Sequence, residues 1–183
     1  MKRQNGFTLT ELMVVVAIVA ILLSVGVPSY RYITTSYRMS SEVNGLLGDL
    51  MYARAEAIKE GQGVTVCVST NGTGCTGGAG WHGGWIVFSN PTNAANPVAG
   101  SILRVQAPFS GTTPDTFFAG SGISSVTYNR EGFATTAAGF PNTIITLHNP
   151  GANPGYTRCL TISPQGLINT ETKATSIPAG ACT

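Results

Sequence analysis

Charge is scarce in this sequence. Charged side chains make up 10% of its 183 residues. From residue 61 to the C-terminus the only ones are Arg104, Asp115, Arg130, Glu131, Arg158, Glu171 and Lys173. A nucleic-acid binder normally shows a dense basic patch, and none is present, so nucleic acid is not an expected partner. Histidine is rarer still: His82 and His148 stand alone. No C-x-x-C pair accompanies them, which removes the usual zinc spacings, and no metal or cofactor is expected. Asp115, Glu131 and Glu171 are scattered, and no Cys–His pair has a nucleophile context. No catalytic residue emerges, and the chain does not read as an enzyme. A conventional secretory cleavage site is missing too. An A-x-A-like site should follow the apolar run, but Ser24-Val25-Gly26-Val27-Pro28-Ser29 stands there instead.

What the sequence does have is one long apolar segment near its start. Residues 12–27 carry no charge, and residues 7–27 as a helix would cover about 31 Å, one hydrocarbon core. Lys2 and Arg3 precede it, and positive flanks stay cytoplasmic, so the rest of the chain belongs outside the inner membrane. All four cysteines, Cys67, Cys75, Cys159 and Cys182, lie on that outer side. Their even count points to two disulfides and an oxidising compartment rather than to a metal site.

The small residue that a processing enzyme could use lies before the run, at Gly6. A cut there leaves the apolar helix on the mature protein, with a free amine on Phe7. This arrangement accounts for Glu11. A carboxylate in a membrane helix costs roughly 2.5–3.5 kcal/mol on insertion scales. Glu11 is one turn from Phe7, on the same side, near a helix N-terminus that favours negative charge. The amine of a neighbouring copy would offset the remainder, making Glu11 a mark of axial register. The plainer alternative is a boundary glutamate reaching to the headgroups.

Pro28 should kink or locally unwind the helix, since it lacks an N–H and crowds the preceding turn. Beyond it, Val43, Leu46, Leu47, Leu50, Met51, Ala57 and Ile58 recur at helical spacing up to Gly61, which suits a helix end. That stripe reads as the seat of a β domain, with Gly45 and Gly48 permitting close packing. Six later stretches read as strands: residues 63–69, 85–88, 101–105, 125–128, 143–147 and 158–162. Gly, Pro and Asn separate them with no helix between, so the sheet should be largely antiparallel. Trp81 and Trp85 could form a stacking platform, but such residues more often close a core. Residues 72–77 spell G-x-G-x-x-G, yet Gly78-Ala79-Gly80 cannot open the helix a dinucleotide site needs. A loop clipped by Cys67 and Cys75 is the better reading.

Gly6-Phe7-Thr8-Leu9-Thr10-Glu11-Leu12, after the short basic leader Met1-Lys2-Arg3-Gln4-Asn5, resembles the prepilin motif of type IV pilins and type II secretion pseudopilins. The resemblance implies cleavage between Gly6 and Phe7 by a prepilin peptidase, N-methylation of Phe7, and a docking role for Glu11. Four further stretches are similar in order and spacing to the GspH/FimT family. They are residues 81–88, 102–104, the run Tyr128-Asn129-Arg130-Glu131-Gly132, and residues 158–166. The resemblance implies an α+β pilin fold: a long N-terminal transmembrane-to-periplasmic helix packed on a small, largely antiparallel β-sandwich-like head. The corresponding divisions are a leader at 1–6, a transmembrane half-helix at 7–28, an amphipathic periplasmic half at 29–60, and a head at 61–183. The implied function is that of a minor pilin that primes or caps a type IV pilus. A GspH-like pseudopilin of type II secretion is the alternative. Implied partners are other pilins and minor pilins, the inner-membrane assembly platform, the prepilin peptidase, and membrane lipid before assembly. Some FimT proteins bind DNA through a basic GRxR motif. Gly166-Leu167-Ile168-Asn169 stands at that place without either arginine. Loss of Lys2 and Arg3 with the leader would also leave eight basic against eight acidic side chains.

Four cysteines permit three pairings. Cys67–Cys75 and Cys159–Cys182 is the expected one. The first would close a short Gly/Asn/Thr loop whose side chains cannot pack. The second would tie a tail with few other anchors to the strand at 158–162.

Overall fold

The computed structural model describes residues 8–110, 115–136, 143–151, 153, 155–172 and 182. Contacts divide the chain into two units, Met1–Arg38 and Met39–Thr183. The first described element, α1 (Leu9–Glu60), is 52 residues long and contains Pro28. The helix is continuous through Pro28, so the local unwinding expected there does not occur. A single missing N–H removes one rung, and the rungs on either side remain. Within the first unit residues 8–34 are all exposed, including a run of Leu, Val, Ile and Met side chains. By length and composition this segment can cross a membrane.

In the second unit, α1 buries Met39, Val43, Leu46, Leu50, Ala53 and Ala57. Steps of three and four residues put them on one face. Each large member gains about 1.5–3 kcal/mol from burial, which makes this stripe a main anchor of the head. The stripe runs straighter than the periodicity suggests. Met51 and Ile58, expected in it, are 52% and 51% exposed, because Ala53 and Ala57 occupy the contact line. Gly45 and Gly48 are exposed, and a Cβ at either would meet nothing within 4 Å, so they do not serve close packing.

The head contains nine described strands: β1 (Val64–Val68), β2 (Trp85–Ser89), β3 (Ile102–Gln106), β4 (Thr116–Ala119), β5 (Ser125–Tyr128), β6 (Ala134–Thr135), β7 (Thr143–His148), β8 (Arg158–Ile162) and β9 (Ile168–Thr172). They form two sheets, of order β3-β2-β1-β5-β6 and β4-β7-β8-β9. Every pairing within them is antiparallel. Among the described residues no α-helix joins one strand to the next, so no βαβ crossover is available to make a parallel pair. The core joins the α1 stripe to Val64, Val66 and Val68 of β1 and to Phe117, Ile145, Leu147, Leu160 and Ile162 of the second sheet. The structure is thus the α+β arrangement expected from the sequence, with residues 39–60 of α1 packed on antiparallel sheets.

β1 buries all five of its residues rather than alternating. Its second face forms a separate small cluster of Cys67, Ile86 and Phe88, backed by Cys75 and Ile102. The loop after β1 folds over that face. It is held by the Cys67–Cys75 disulfide and by Thr76 N–H donating to the Val68 carbonyl. The Cys75 N–H also donates to Asn96 Oδ1 at 3.0 Å. Cys159 and Cys182 form the other disulfide. Both tryptophans are core residues. Trp81 is fully buried and donates to the Ile123 carbonyl at 3.0 Å. Trp85 donates to Asp49 Oδ2 at 2.8 Å.

Candidate assembly surface

Within the first unit, Thr8 and Glu11 open the helix together. The Glu11 N–H donates to Thr8 Oγ1 at 3.2 Å, and the Leu12 N–H donates to the Thr8 carbonyl at 3.2 Å. Thr8 is therefore an N-cap, and Glu11 is at the third helical position, as in a capping box. The signal Thr8-x-x-Glu11 is visible in the sequence, but the reading of Glu11 as a register mark passes over it. The carboxylate itself is exposed, the only charge among the described residues until Arg31. Gly6 and Phe7 lie outside the described residues. Cap, carboxylate and exposed apolar face make a surface built for contact with an apolar phase or with other helices.

In the head, two polar clasps fix α1 to the sheets, and neither was legible beforehand. The first centres on Asp49. Its Oδ2 accepts from Trp85 Nε1, and its Oδ1 accepts from Arg104 Nη1 at 2.9 Å. The Arg104 guanidinium also lies 3.9 Å from the centroid of the Tyr52 ring, a cation–π contact. The second centres on Arg54. Its Nε donates to the Gly132 carbonyl at 3.0 Å, and its Nη2 donates to the Gln165 carbonyl at 3.3 Å. These carbonyls belong to two turns that cross one another. Gly132 and Gly166 adopt φ of +82° and +73°. A Cβ on Gly166 would run into the Gly132 carbonyl oxygen. Only glycine permits that crossing. The runs 128–132 and 163–166, noted in the sequence for their family likeness, thus form one junction held by an arginine of α1. Beneath it Tyr128 is fully buried, and its hydroxyl has no hydrogen-bond partner among the described residues. Burial pushes that hydroxyl well above the usual tyrosine range, while the Arg54 charge opposes the shift.

Other charges around the junction are neutralised locally. Lys59 Nζ is 3.0 Å from Glu56 and 3.3 Å from Glu60, and the Glu56 hydrogen bond raises its pKa most. Arg130 Nε is 2.8 Å from Glu131, and that hydrogen bond holds the glutamate below its ordinary value. Gly166 and Leu167 lead into β9, which Ile168 and Asn169 open, with Leu167 57% exposed and no cation among the four. Among the described residues no group of His, Cys, Asp and Glu could hold a metal ion.

An exposed apolar helical segment and an antiparallel β head clasped to residues 39–60 of α1 are the parts of a pilin-type fold. The family model described as type II transport protein GspH matches residues 42–166, and the chain belongs to that family. The prokaryotic N-terminal methylation motif matches residues 1–27. Two fimbrial proteins of Pseudomonas aeruginosa are each 42% identical over 62 residues, which is 34% of this chain. The matched segment spans 40% of the length of these curated relatives. Among solved structures, two crystal structures of the type IV minor pilin FimU of Pseudomonas aeruginosa strain PAO1 are similar, each at 18% identity. One covers 78% of this chain and 94% of the other with a TM-score of 0.51. The second covers 81% and 93% with a TM-score of 0.54. At that identity the likeness is one of fold.

Proposed function

We propose that the chain is a minor pilin of a type IV pilus, incorporated with other minor pilins to prime or cap the fibre. The observation that carries this reading is the combination, in one chain, of an N-terminal methylation motif and a GspH-family head with the fold of FimU. On this reading residues 1–6 are a leader removed by a prepilin peptidase, and Phe7 becomes the methylated N-terminus. Residues 7–28 then anchor the precursor in the inner membrane and later pack with other subunits. Residues 29–60 carry the helix into the head, residues 61–183, on the periplasmic side. The two disulfides support an oxidising location. Glu11 docks against a neighbouring subunit, its cost in an apolar bundle offset by that subunit's N-terminal amine. The chain is a substrate of the peptidase and a client of the membrane assembly platform, with no chemistry of its own.

The family's description supports a second reading, a minor pseudopilin of type II secretion. Deleting the chain in its own host separates the two. Loss of surface pili with normal protein secretion is expected; normal pili with lost secretion selects the alternative. Processing is tested by mass spectrometry of the mature N-terminus, which should begin at methylated Phe7. Gly6→Val should leave full-length precursor in the membrane.

A further inference from the structure

Above the Arg54 junction lies a groove of about 400 Å³, lined by Met51, Arg54, Ala55 and Ile58 of α1 and by Gly166, Leu167 and Ile168 of the turn into β9. Three of its walls are apolar side chains more than half exposed: Met51 at 52%, Ile58 at 51% and Leu167 at 57%. Ile58 also lies against Gly132, whose neighbour Phe133 is 46% exposed. Met51, Ile58 and Leu167 therefore gather three large exposed apolar side chains around one groove of the head. Scattered apolar residues need no explanation, but a cluster of this kind rimmed by polar surface marks a contact site.

Arg54 gives the groove its chemical preference. Its two hydrogen bonds go to neutral carbonyls, which position the guanidinium without cancelling its charge. The neighbouring cations are already compensated, Lys59 by Glu56 and Glu60 and Arg130 by Glu131. Among the described residues no carboxylate lies within ion-pair distance of Arg54. A half-buried positive charge among apolar walls attracts one anionic group that arrives with apolar flanks. The planar guanidinium suits a carboxylate in particular.

We propose that this groove is a docking site for a neighbouring pilin subunit, and that its occupant is a surface segment presenting one Asp or Glu between apolar side chains. The carboxylate meets Arg54, and the flanking side chains cover Met51, Ile58 and Leu167. This inference rests on the pilin reading above and adds a head-to-head contact distinct from the Glu11 contact of the membrane helix.

The test uses the full-length chain in its host membrane, with a photo-crosslinking benzoylphenylalanine at position 51. The crosslinked peptide is identified by mass spectrometry, and formation of both disulfides serves as the check on folding. The expected adduct is a pilin peptide with an acidic residue flanked by apolar ones. Leu167→Asp places a competing carboxylate beside Arg54 without touching a buried residue, and should lower the yield about tenfold. Leu167→Asn, similar in shape but uncharged, should lower it much less. Arg54→Gln should behave like Leu167→Asp, whereas Lys59→Gln should leave the yield unchanged. An adduct with lipid, with a pilin segment lacking an acid, or with no pilin at all overturns the proposal. So does an equal effect of Leu167→Asp and Leu167→Asn. If the chain still enters pili while the groove captures no pilin, this inference fails and the pilin reading stands. If the wild-type chain enters no pilus, the pilin reading itself fails.

Discussion

Replacing Gly166 by alanine should damage the head far more than an alanine of the same backbone conformation elsewhere. Gly166 has φ +73° and Gly122 has φ +71°. An L residue in that region costs about 1 kcal/mol at either site. The two sites differ in what surrounds them. A Cβ on Gly122 meets nothing within 4 Å, whereas one on Gly166 collides with the Gly132 carbonyl and comes within 3.0 Å of Arg54 Nε. Relief requires the two turns to part, which breaks the bond from Arg54 to Gly132 and strains the bond from Ala134 N–H to the Pro164 carbonyl. A hydrogen bond from a charged donor and a neutral backbone bond together account for about 3 kcal/mol. For a chain of this size that difference corresponds to a midpoint about 6–12 °C lower for Gly166→Ala than for Gly122→Ala. Thermal unfolding of the full chain in detergent, followed by near-ultraviolet dichroism of the buried Trp81 and Trp85, measures it. Equal midpoints for the two variants would refute the crossing-turn argument.

Asp49→Ala should destabilise the head by about 2–3 kcal/mol, since Trp85 loses its acceptor in a buried setting. Asp49→Asn, which can still accept that bond, should lose under about 1 kcal/mol, because Arg104 is half exposed and its ion pair is screened; denaturant midpoints will compare the two. Tyr128→Phe should be neutral or slightly stabilising at pH 7, because the hydroxyl is buried with no partner among the described residues. Burial raises the folded-state pKa, so the wild type should be unaffected below pH 10 and lose stability above it, as ionisation of the unfolded tyrosine favours unfolding. The Phe variant should lack that share of the alkaline loss, and identical pH profiles would count against it. Replacing Cys67 and Cys75 together by serine removes a bridge across a sequence separation of eight. It should lower stability by about 2.5 kcal/mol in the chain-entropy model, read from the urea midpoint. Glu11→Ala should leave the head's thermal midpoint unchanged while reducing incorporation into pili beside wild-type subunits. Normal incorporation would remove the register role from Glu11.

The long apolar run and most of the strands were legible from the amino acids alone. The apolar run at 12–27 is contiguous, and its meaning depends on lipid rather than on distant parts of the chain. Six strands announced themselves through β-branched and apolar runs. The cysteines paired as loop lengths and strand ends suggested. β4, β6 and β9 did not announce themselves. β6 has only two residues, β4 four, and Ile168-Asn169-Thr170-Glu171-Thr172 is mostly polar, so each is a strand because a neighbour supplies hydrogen bonds. The α1 stripe was misjudged at Met51 and Ile58 for a related reason. Periodicity allows several adjacent faces, and the two sheets chose the one carrying Ala53 and Ala57. Only the tertiary structure could turn Asp49 and Arg54, two charges on a helix surface, into clasps for Trp85 and for the crossing turns at Gly132 and Gly166. Their partners lie from 36 to 111 residues away along the chain, and no local rule reaches that far. The groove beside Arg54 has the same origin: it exists because the turn into β9, distant in sequence, is pinned over one face of α1.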